Sequence, residues 1–193
     1  NQLACTTLKG HVMKVLVFGA SNHSNSINAT LARYTAARLK SDFKPEADIS
    51  EIDLNDYEMP IYSIDRETSD GVHELAKDFY ARIGAADALI ISFPEHNAPY
   101  TFAWKNIHDW MSRIDMAIYQ NTPMIALSAT PGPRAGLGVL QAVEDTAPFF
   151  GVDLRGRVGV GTWGEAFNYE TSSLLRGEDI AAIDDALGKL VYG

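Results

Sequence analysis

The sequence predicts an α/β chain built on an open parallel sheet with helices on both faces. Three observations carry this expectation. Strand-like apolar runs alternate with helix-period patterns over residues 13–193, and such alternation implies βαβ crossovers. The runs at 13–19 and 86–92 are almost continuously apolar, as strands covered on both faces must be. Three loops rich in Gly, Pro, Asn or Ser, at 19–28, 93–99 and 130–138, all follow the carboxyl ends of strands. Ligands of open α/β sheets bind beyond those ends.

The elements follow in order. The first strand is "MKVLVFG" (13–19), and in the helical pattern after it Ile27, Leu31 and Tyr34 share a face. The second strand is "DISEIDL" (48–54). Val72, Leu75, Phe79 and Ile83 then mark a helix, with Ser69 or Asp70 expected as its cap. The third strand is "ADALIIS" (86–92), and the helix at 100–115 is apolar nearly all round. Its stripe Ile107, Trp110, Met111 and Ile114 can face the sheet, which leaves Phe102 and Trp104 needing cover from a large aromatic core or from a second subunit. The fourth strand is "PMIALSA" (123–129), with Val139, Val143, Ala147 and Phe150 on the next helix. The fifth is "VDLRGRVGV" (152–160), followed by a helix carrying Ile180, Ile183, Leu187 and Leu190.

Composition bounds the function. A net charge of −9 disfavours nucleic acid and anionic membranes as partners, because both reward Lys and Arg. The single cysteine, Cys5, allows no intramolecular disulfide and fits a reducing compartment, the cytoplasm. No apolar run approaches the roughly 18 residues that a membrane helix needs. Residues 1–12 read unlike the rest, so the expectation is a foreign or disordered lead, a natural start at Met13, and one domain over 13–193.

The three loops carry the chemistry. In "GASNHSNSIN" (19–28) a tight turn at Gly19 leads to a helix N-terminus. Such a terminus presents unpaired N–H groups and part of a positive charge, enough to seat phosphate without lysine. Ser21, Ser26 and Asn28 can add side-chain donors, and His23 can touch the anion; a plain helix cap with a solvated turn is the competing reading. Neither G-x-G-x-x-G nor G-x-x-x-x-G-K-[ST] is present.

In the second loop, Pro94 and Pro99 make a stiff turn that can aim backbone groups at the edge of a flat heterocycle. Glu95, His96 and Asn97 also admit an acid–base or metal-ligand reading, although sequence neighbours seldom converge on one metal. In the third, "ATPGPRAGLG" (129–138), glycines permit close approach of backbone to ligand. Arg134 either pairs with the phosphate of a visiting nucleotide or is solvated.

These residues together resemble the NAD(P)H-dependent FMN reductase family of flavodoxin-like proteins. That family opens with a strand followed by G-S-x-R-x-x-S-x-N-x-x-L, and this chain has Gly19-Ala20-Ser21-Asn22-His23-Ser24-Asn25-Ser26-Ile27-Asn28-Ala29-Thr30-Leu31. The family's P-E-Y-N with K-N-A-I-D-W-L-S-R is matched by Pro94-Glu95-His96-Asn97 and Lys105-Asn106-Ile107-His108-Asp109-Trp110-Met111-Ser112-Arg113. "SATPGPRAGLGVLQ" is similar to the S-x-x-x-G-x-x-G-G segment, and "GEAFNYETSSLL" to the last loop.

The resemblance implies a flavodoxin-like three-layer sandwich with strand order 2-1-3-4-5. It implies that Ser21, Ser26, Ile27 and Asn28 hold an FMN phosphate, with His23 standing where the family has its Arg. Pro94, Glu95, His96 and Asn97 would line the isoalloxazine ring, Thr130 and Gly132 would close its other edge, and Arg134 remains the candidate for a cofactor phosphate. The implied activity is an FMN-dependent oxidoreductase with NAD(P)H as co-substrate. Hydride reaches flavin N5, and electrons pass by a ping-pong cycle to a small-molecule acceptor: a quinone, free flavin, azo compound or metal oxyanion. No side-chain nucleophile or metal is needed. A flavodoxin-like electron carrier without NAD(P)H turnover, and a flavin-free scaffold, are the alternatives. A homodimer or homotetramer through the helix at 100–115 is also implied. Two departures stand out: His23 replaces the family's Arg, and His96 its Tyr.

Overall fold

The computed structural model describes residues 11–97 and 99–193. Of the lead expected over 1–12, residues 1–10 lie outside the described residues. Five strands form one parallel sheet in the order β2-β1-β3-β4-β5: β1 (Lys14–Gly19), β2 (Asp48–Glu51), β3 (Ala88–Ser92), β4 (Pro123–Ala129) and β5 (Asp153–Val160). The helices are α1 (Ile27–Arg38), α2 (Ile64–Asp70), α3 (Glu74–Gly84), α4 (Phe102–Met111), α5 (Leu137–Phe150), the short α6 (Trp163–Ala166) and α7 (Gly177–Tyr192). A two-residue hairpin, β6 (Phe167–Asn168) and β7 (Ser173–Leu174), lies between α6 and α7.

Strand alternation builds the two outer layers. Leu16 and Phe18 of β1, Leu89 and Ile91 of β3, and Met124 and Ala126 of β4 point to one side, where Phe79, Trp104, Trp110 and Val143 of α3, α4 and α5 cover them. Val15, Val17, Ile90, Ile125 and Leu127 point to the other and meet Leu31, Ile183 and Leu187 of α1 and α7. Successive side chains on a strand face opposite ways, so each buried strand must be apolar throughout. That explains why "ALIIS" and "VLVF" show no polar alternation.

Four expectations need correction. First, β2 ends at Glu51 rather than running to Leu54, because the Asp53 carboxylate accepts the Asn55 N–H at 2.9 Å and starts a 3₁₀ turn over Leu54–Tyr57. Second, α2 is an additional helix capped by Ser63; it buries no residue, so it leaves no apolar period to read.

Third, α3 is capped by His73, whose Nδ1 accepts the Leu75 N–H at 3.2 Å. Ser69 and Asp70 end α2 instead, and Gly71 at φ 77° turns the chain between the two helices. Fourth, α4 closes at Met111, so Ile114 falls outside it and is half-exposed, while Trp104 is fully buried in the core. Trp104 meets Phe18 at 5.4 Å and Phe79 at 5.7 Å between ring centroids. The aromatic core thus covers Trp104, and Phe102 stays exposed.

Candidate functional site

Strand order reverses between β1 and β3, and the loops after β1, β3 and β4 meet at that edge of the sheet. A crevice is forced there, because chain leaving adjacent strands departs to opposite faces.

The first loop folds onto itself by short bonds. Ser21 Oγ accepts the His23 N–H at 3.1 Å, and His23 Nδ1 accepts the Asn25 N–H at 3.1 Å. Ser26 caps α1, its Oγ accepting from Ala29 N–H at 3.3 Å. The N–H groups of Ile27 and Asn28, in the first turn, have no acceptor among the described residues. They are the orphan donors that make a helix N-terminus attract anions, and the first turn holds no acid to compete. Gly19 lets the strand end press on this turn, since a Cβ there would lie 2.5 Å from Ala29 N. His23 is exposed, whereas Ser21 and Ser26 are buried.

Asn28 corrects the sequence reading of its side chain. It is 2% exposed and turned inward. Its Nδ2 donates to Ala129 O at 2.9 Å, and its Oδ1 accepts from Ala129 N–H at 2.8 Å and from Ser92 Oγ at 2.7 Å. The side-chain amide is consumed in tying α1 to the ends of β3 and β4. What Asn28 offers a ligand is its backbone N–H.

Glu95 is similar. Its Oε2 accepts the Gly138 N–H at 3.1 Å, so the carboxylate sits on the first turn of α5, where the helix dipole favours it. Glu95 braces the second loop against the third. Pro94 is buried, while His96 and Asn97 are exposed, and Asn97 takes a left-handed backbone at φ 50°. Non-glycine residues held there cluster at ligand-binding turns.

The third loop is pinned to the chain after β5. Thr130 Oγ1 donates to Gly132 O at 2.8 Å, Gly132 O accepts from Thr162 N–H at 2.9 Å, and Thr130 O accepts from Trp163 N–H at 3.1 Å. Gly136 holds φ 68°, and a Cβ there would fall 2.0 Å from Ser128 Oγ. Gly132 has open space around its would-be Cβ. Between the second and third loops lies a cleft of about 440 Å³ lined by Glu95, Asn97, Thr130, Gly132, Pro133, Arg134 and Gly136. Arg134 is its one cation, and it is exposed.

Two contributors were not foreseen. Arg176 donates to Gly161 O at 2.8 Å, to Thr162 Oγ1 at 3.1 Å and to Asp179 at 2.6 Å, and so fixes the chain that pins the third loop. No local pattern marks it. The segment after β2 walls a second cleft of about 380 Å³, which reaches Asn22 and His96. Asn106 and Trp110, which clasp that segment, stand inside the quoted helix motif and were the available signal.

With this geometry in place, comparison with known proteins gives a definite answer. The family model described as NADPH-dependent FMN reductase matches residues 13–162.

The chain belongs to that family.

This FMN reductase family member is therefore an oxidoreductase of the NAD(P)H-dependent type, with FMN as its cofactor and NAD(P)H as co-substrate. It is 33% identical over 101 residues to a 2-hydroxy-1,4-benzoquinone reductase of a Burkholderia species, covering 52% of this chain and 51% of that one. It is 31% identical over 121 residues to an NAD(P)H-dependent FMN reductase of Pseudomonas aeruginosa, covering 62% and 61%. These two matches span between half and two-thirds of each relative. Among solved structures, the flavoenzyme NAD(P)H:(acceptor) oxidoreductase FerB of Paracoccus denitrificans superposes with a TM-score of 0.72 at 19% identity, covering 93% of this chain and 96% of that one. This likeness supports the flavodoxin-like fold. Among the described residues no helix is long and apolar enough to cross a membrane.

The residues fit the family's cofactor. Two orphan N–H donors stand at the α1 terminus, and an open, glycine-walled cleft lies along the same sheet edge. A phosphorylated flat ring needs those two features side by side.

Proposed function

We propose that this reductase holds FMN with its phosphate on the first turn of α1 and its ring in the cleft between the turn 94–97 and the loop 130–136. There it transfers electrons from NAD(P)H to a small-molecule acceptor in a ping-pong cycle. The observation that carries the reading is the pair of acceptor-free N–H groups of Ile27 and Asn28, on a helix turn that the Asn28 side chain ties to Ala129, the residue before the cleft-lining Thr130.

When bound, FMN supplies the hydride-accepting and electron-donating chemistry. The chain's own residues do the rest. Ile27 and Asn28 N–H and the Ser21 and Ser26 hydroxyls bind phosphate, and His23 stands at its solvent side. Pro94, His96 and Asn97 fix the ring edge, with Glu95 holding their turn against α5. Thr130 and Gly132 close the other side, and Arg134 meets a phosphate of NAD(P)H. With a quinone as acceptor, NAD(P)H, one proton and the quinone give NAD(P)+ and the hydroquinone.

The test is steady NAD(P)H oxidation with 1,4-benzoquinone or ferricyanide, after FMN titration followed by flavin fluorescence. Parallel double-reciprocal lines are expected. Saturable FMN binding without turnover would make the protein an electron carrier, and absence of FMN binding would defeat the reading.

The functional unit proposed is residues 13–193, acting in the reducing cytoplasm as a homodimer or homotetramer. The assembly is argued from an apolar cleft of about 500 Å³ between α4 and α5, which includes Tyr100, His108, Met116 and Phe150. His108 is buried there with neither ring nitrogen hydrogen-bonded, and Met116 and Phe149 stand exposed nearby. A second copy seated on α4 would cover this face. Light scattering on the wild type and on Met116→Glu tests it, with a monomer expected for the variant.

A further inference from the structure

Two charged side chains line the ring cleft, Glu95 and Arg134, and they are held differently. Arg134 is exposed, and its guanidinium bonds to no protein atom among the described residues. Water and salt screen such a charge. Glu95 is half-buried, and its turn is fixed on both sides. Just before it, Phe93 N–H donates to Leu127 O and Phe93 O accepts from Ser128 Oγ, both at 2.7 Å. At the other end its Oε2 accepts the Gly138 N–H at 3.1 Å. Its Oε1 lies against the same residue, since a Cβ on Gly138 would come within 2.8 Å of it. A side chain at 138 would push the carboxylate off the helix end.

That helix end has no cap of its own. The N-cap residue of α5 is Gly136, and the first turn holds no acid. The Val139 N–H, next to that of Gly138, has no acceptor among the described residues. Such a terminus carries about half a positive charge, whereas the Glu95 carboxylate carries a full negative one. The pair therefore leaves a fixed net negative charge on the cleft wall. A Ser or Asn at the N-cap would have satisfied an N–H of the same turn without adding charge. Here the acceptor comes from 43 residues away and brings its charge to the cleft.

We infer that Glu95 sets the reducing strength of the bound flavin: its fixed negative charge holds down the affinity for the reduced ring, so that electrons are passed on rather than retained. This rests on the flavin reading above and gives Glu95 an action by charge, beyond bracing its turn. The electron count gives the sign. A hydride from NAD(P)H brings two electrons and one proton, so the ring gains one negative charge and NAD(P)+ leaves. The oxidised ring is uncharged, and the carboxylate discriminates little against it. The N–H groups of Glu95, His96 and Asn97 have no acceptor among the described residues; they favour the charged ring, and the carboxylate opposes them. For unit charges several Å apart in a partly screened cleft, the effect on a binding constant is about ten- to hundred-fold.

The experiment measures the dissociation constants of oxidised FMN and of dithionite-reduced FMN by anaerobic ultrafiltration, on the wild type and on variants. Glu95→Gln keeps an acceptor for the Gly138 N–H and removes the charge. It should tighten reduced FMN about ten-fold or more and change oxidised FMN less than about two-fold. For a two-electron couple, ten-fold corresponds to about 30 mV, a rise that equilibration with a reference dye reads independently. Glu95→Ala should move the ratio of the two constants as far while weakening both, because the turn also loses its brace. Glu95→Asp keeps the charge and should hold the ratio near that of the wild type. Glu144→Gln removes an exposed carboxylate from the same helix, one paired with Arg157, and should leave the ratio unmoved. A ratio unmoved by Glu95→Gln, or moved equally by Glu144→Gln, overturns the proposal and leaves the flavin reading intact. Failure of the wild type to bind FMN in either state defeats both.

Discussion

The side-chain amide of Asn28 pairs with both backbone groups of Ala129, donating to its oxygen at 2.9 Å and accepting from its nitrogen at 2.8 Å. One residue in the first turn of α1 thereby acts as an extra peptide unit at the end of β4. The first turn of α1 is thereby tied to the strand end from which the third loop starts.

Asn28→Ala leaves the Ala129 N–H and C=O and the Ser92 hydroxyl without partners in a buried place. The expected cost is about 2–4 kcal/mol, read as a lower urea midpoint. FMN affinity should fall with it, because the N–H donors of Ile27 and Asn28 lose their registration against the ring cleft. Fluorescence titration checks this.

Gly132 and Gly136 separate ligand approach from folding. Gly136→Ala puts a Cβ against Ser128 at a left-handed backbone and should destabilise by about 1–3 kcal/mol or more. Gly132→Ala meets no protein atom within 4 Å, so its urea midpoint should stay within about 0.5 kcal/mol of wild type. Its FMN affinity should nevertheless drop several-fold if the ring lies against that backbone. Paired denaturation and titration curves measure both.

His23→Arg restores a permanent charge beside the α1 terminus. FMN should bind about five- to ten-fold more tightly at low ionic strength, riboflavin should not, and added salt should shrink the gain. Equal effects on FMN and riboflavin would remove His23 from the phosphate site.

His108 predicts an acid sensitivity. Burial pulls its imidazole from an ordinary 6.5 down to about 4, with Lys105 adding to the depression and Asp109 opposing it. Between those values the unfolded chain binds more protons than the folded one, so stability falls as pH drops from 6.5 toward 4. The full contribution is about 3 kcal/mol, present above pH 6.5. Urea midpoints at pH 7 and 4.5 should therefore converge in His108→Leu relative to wild type.

The positions of the five strands were legible because a buried parallel strand has to be apolar on both faces, a requirement that composition alone displays at "VLVF" and "ALIIS". The same holds for the three loops at the carboxyl edge of the sheet, whose Gly, Pro and Asn content reflects backbone geometry. The helix α2 was hidden because it buries nothing, and the cap of α3 because Ser69, Asp70 and His73 are all competent acceptors and only the turn at Gly71 chooses among them.

By itself, then, the sequence determined the layered fold and the family. The tertiary structure decided which polar side chains at the carboxyl edge of the sheet are bonded within the chain. Asn28 and Ala129 stand 101 residues apart, and Glu95 and Gly138 stand 43 apart. An amide or carboxylate bonds equally well to a phosphate, a ring or a buried peptide group, so its partner is set by what the folded chain brings within 3 Å and not by residue type.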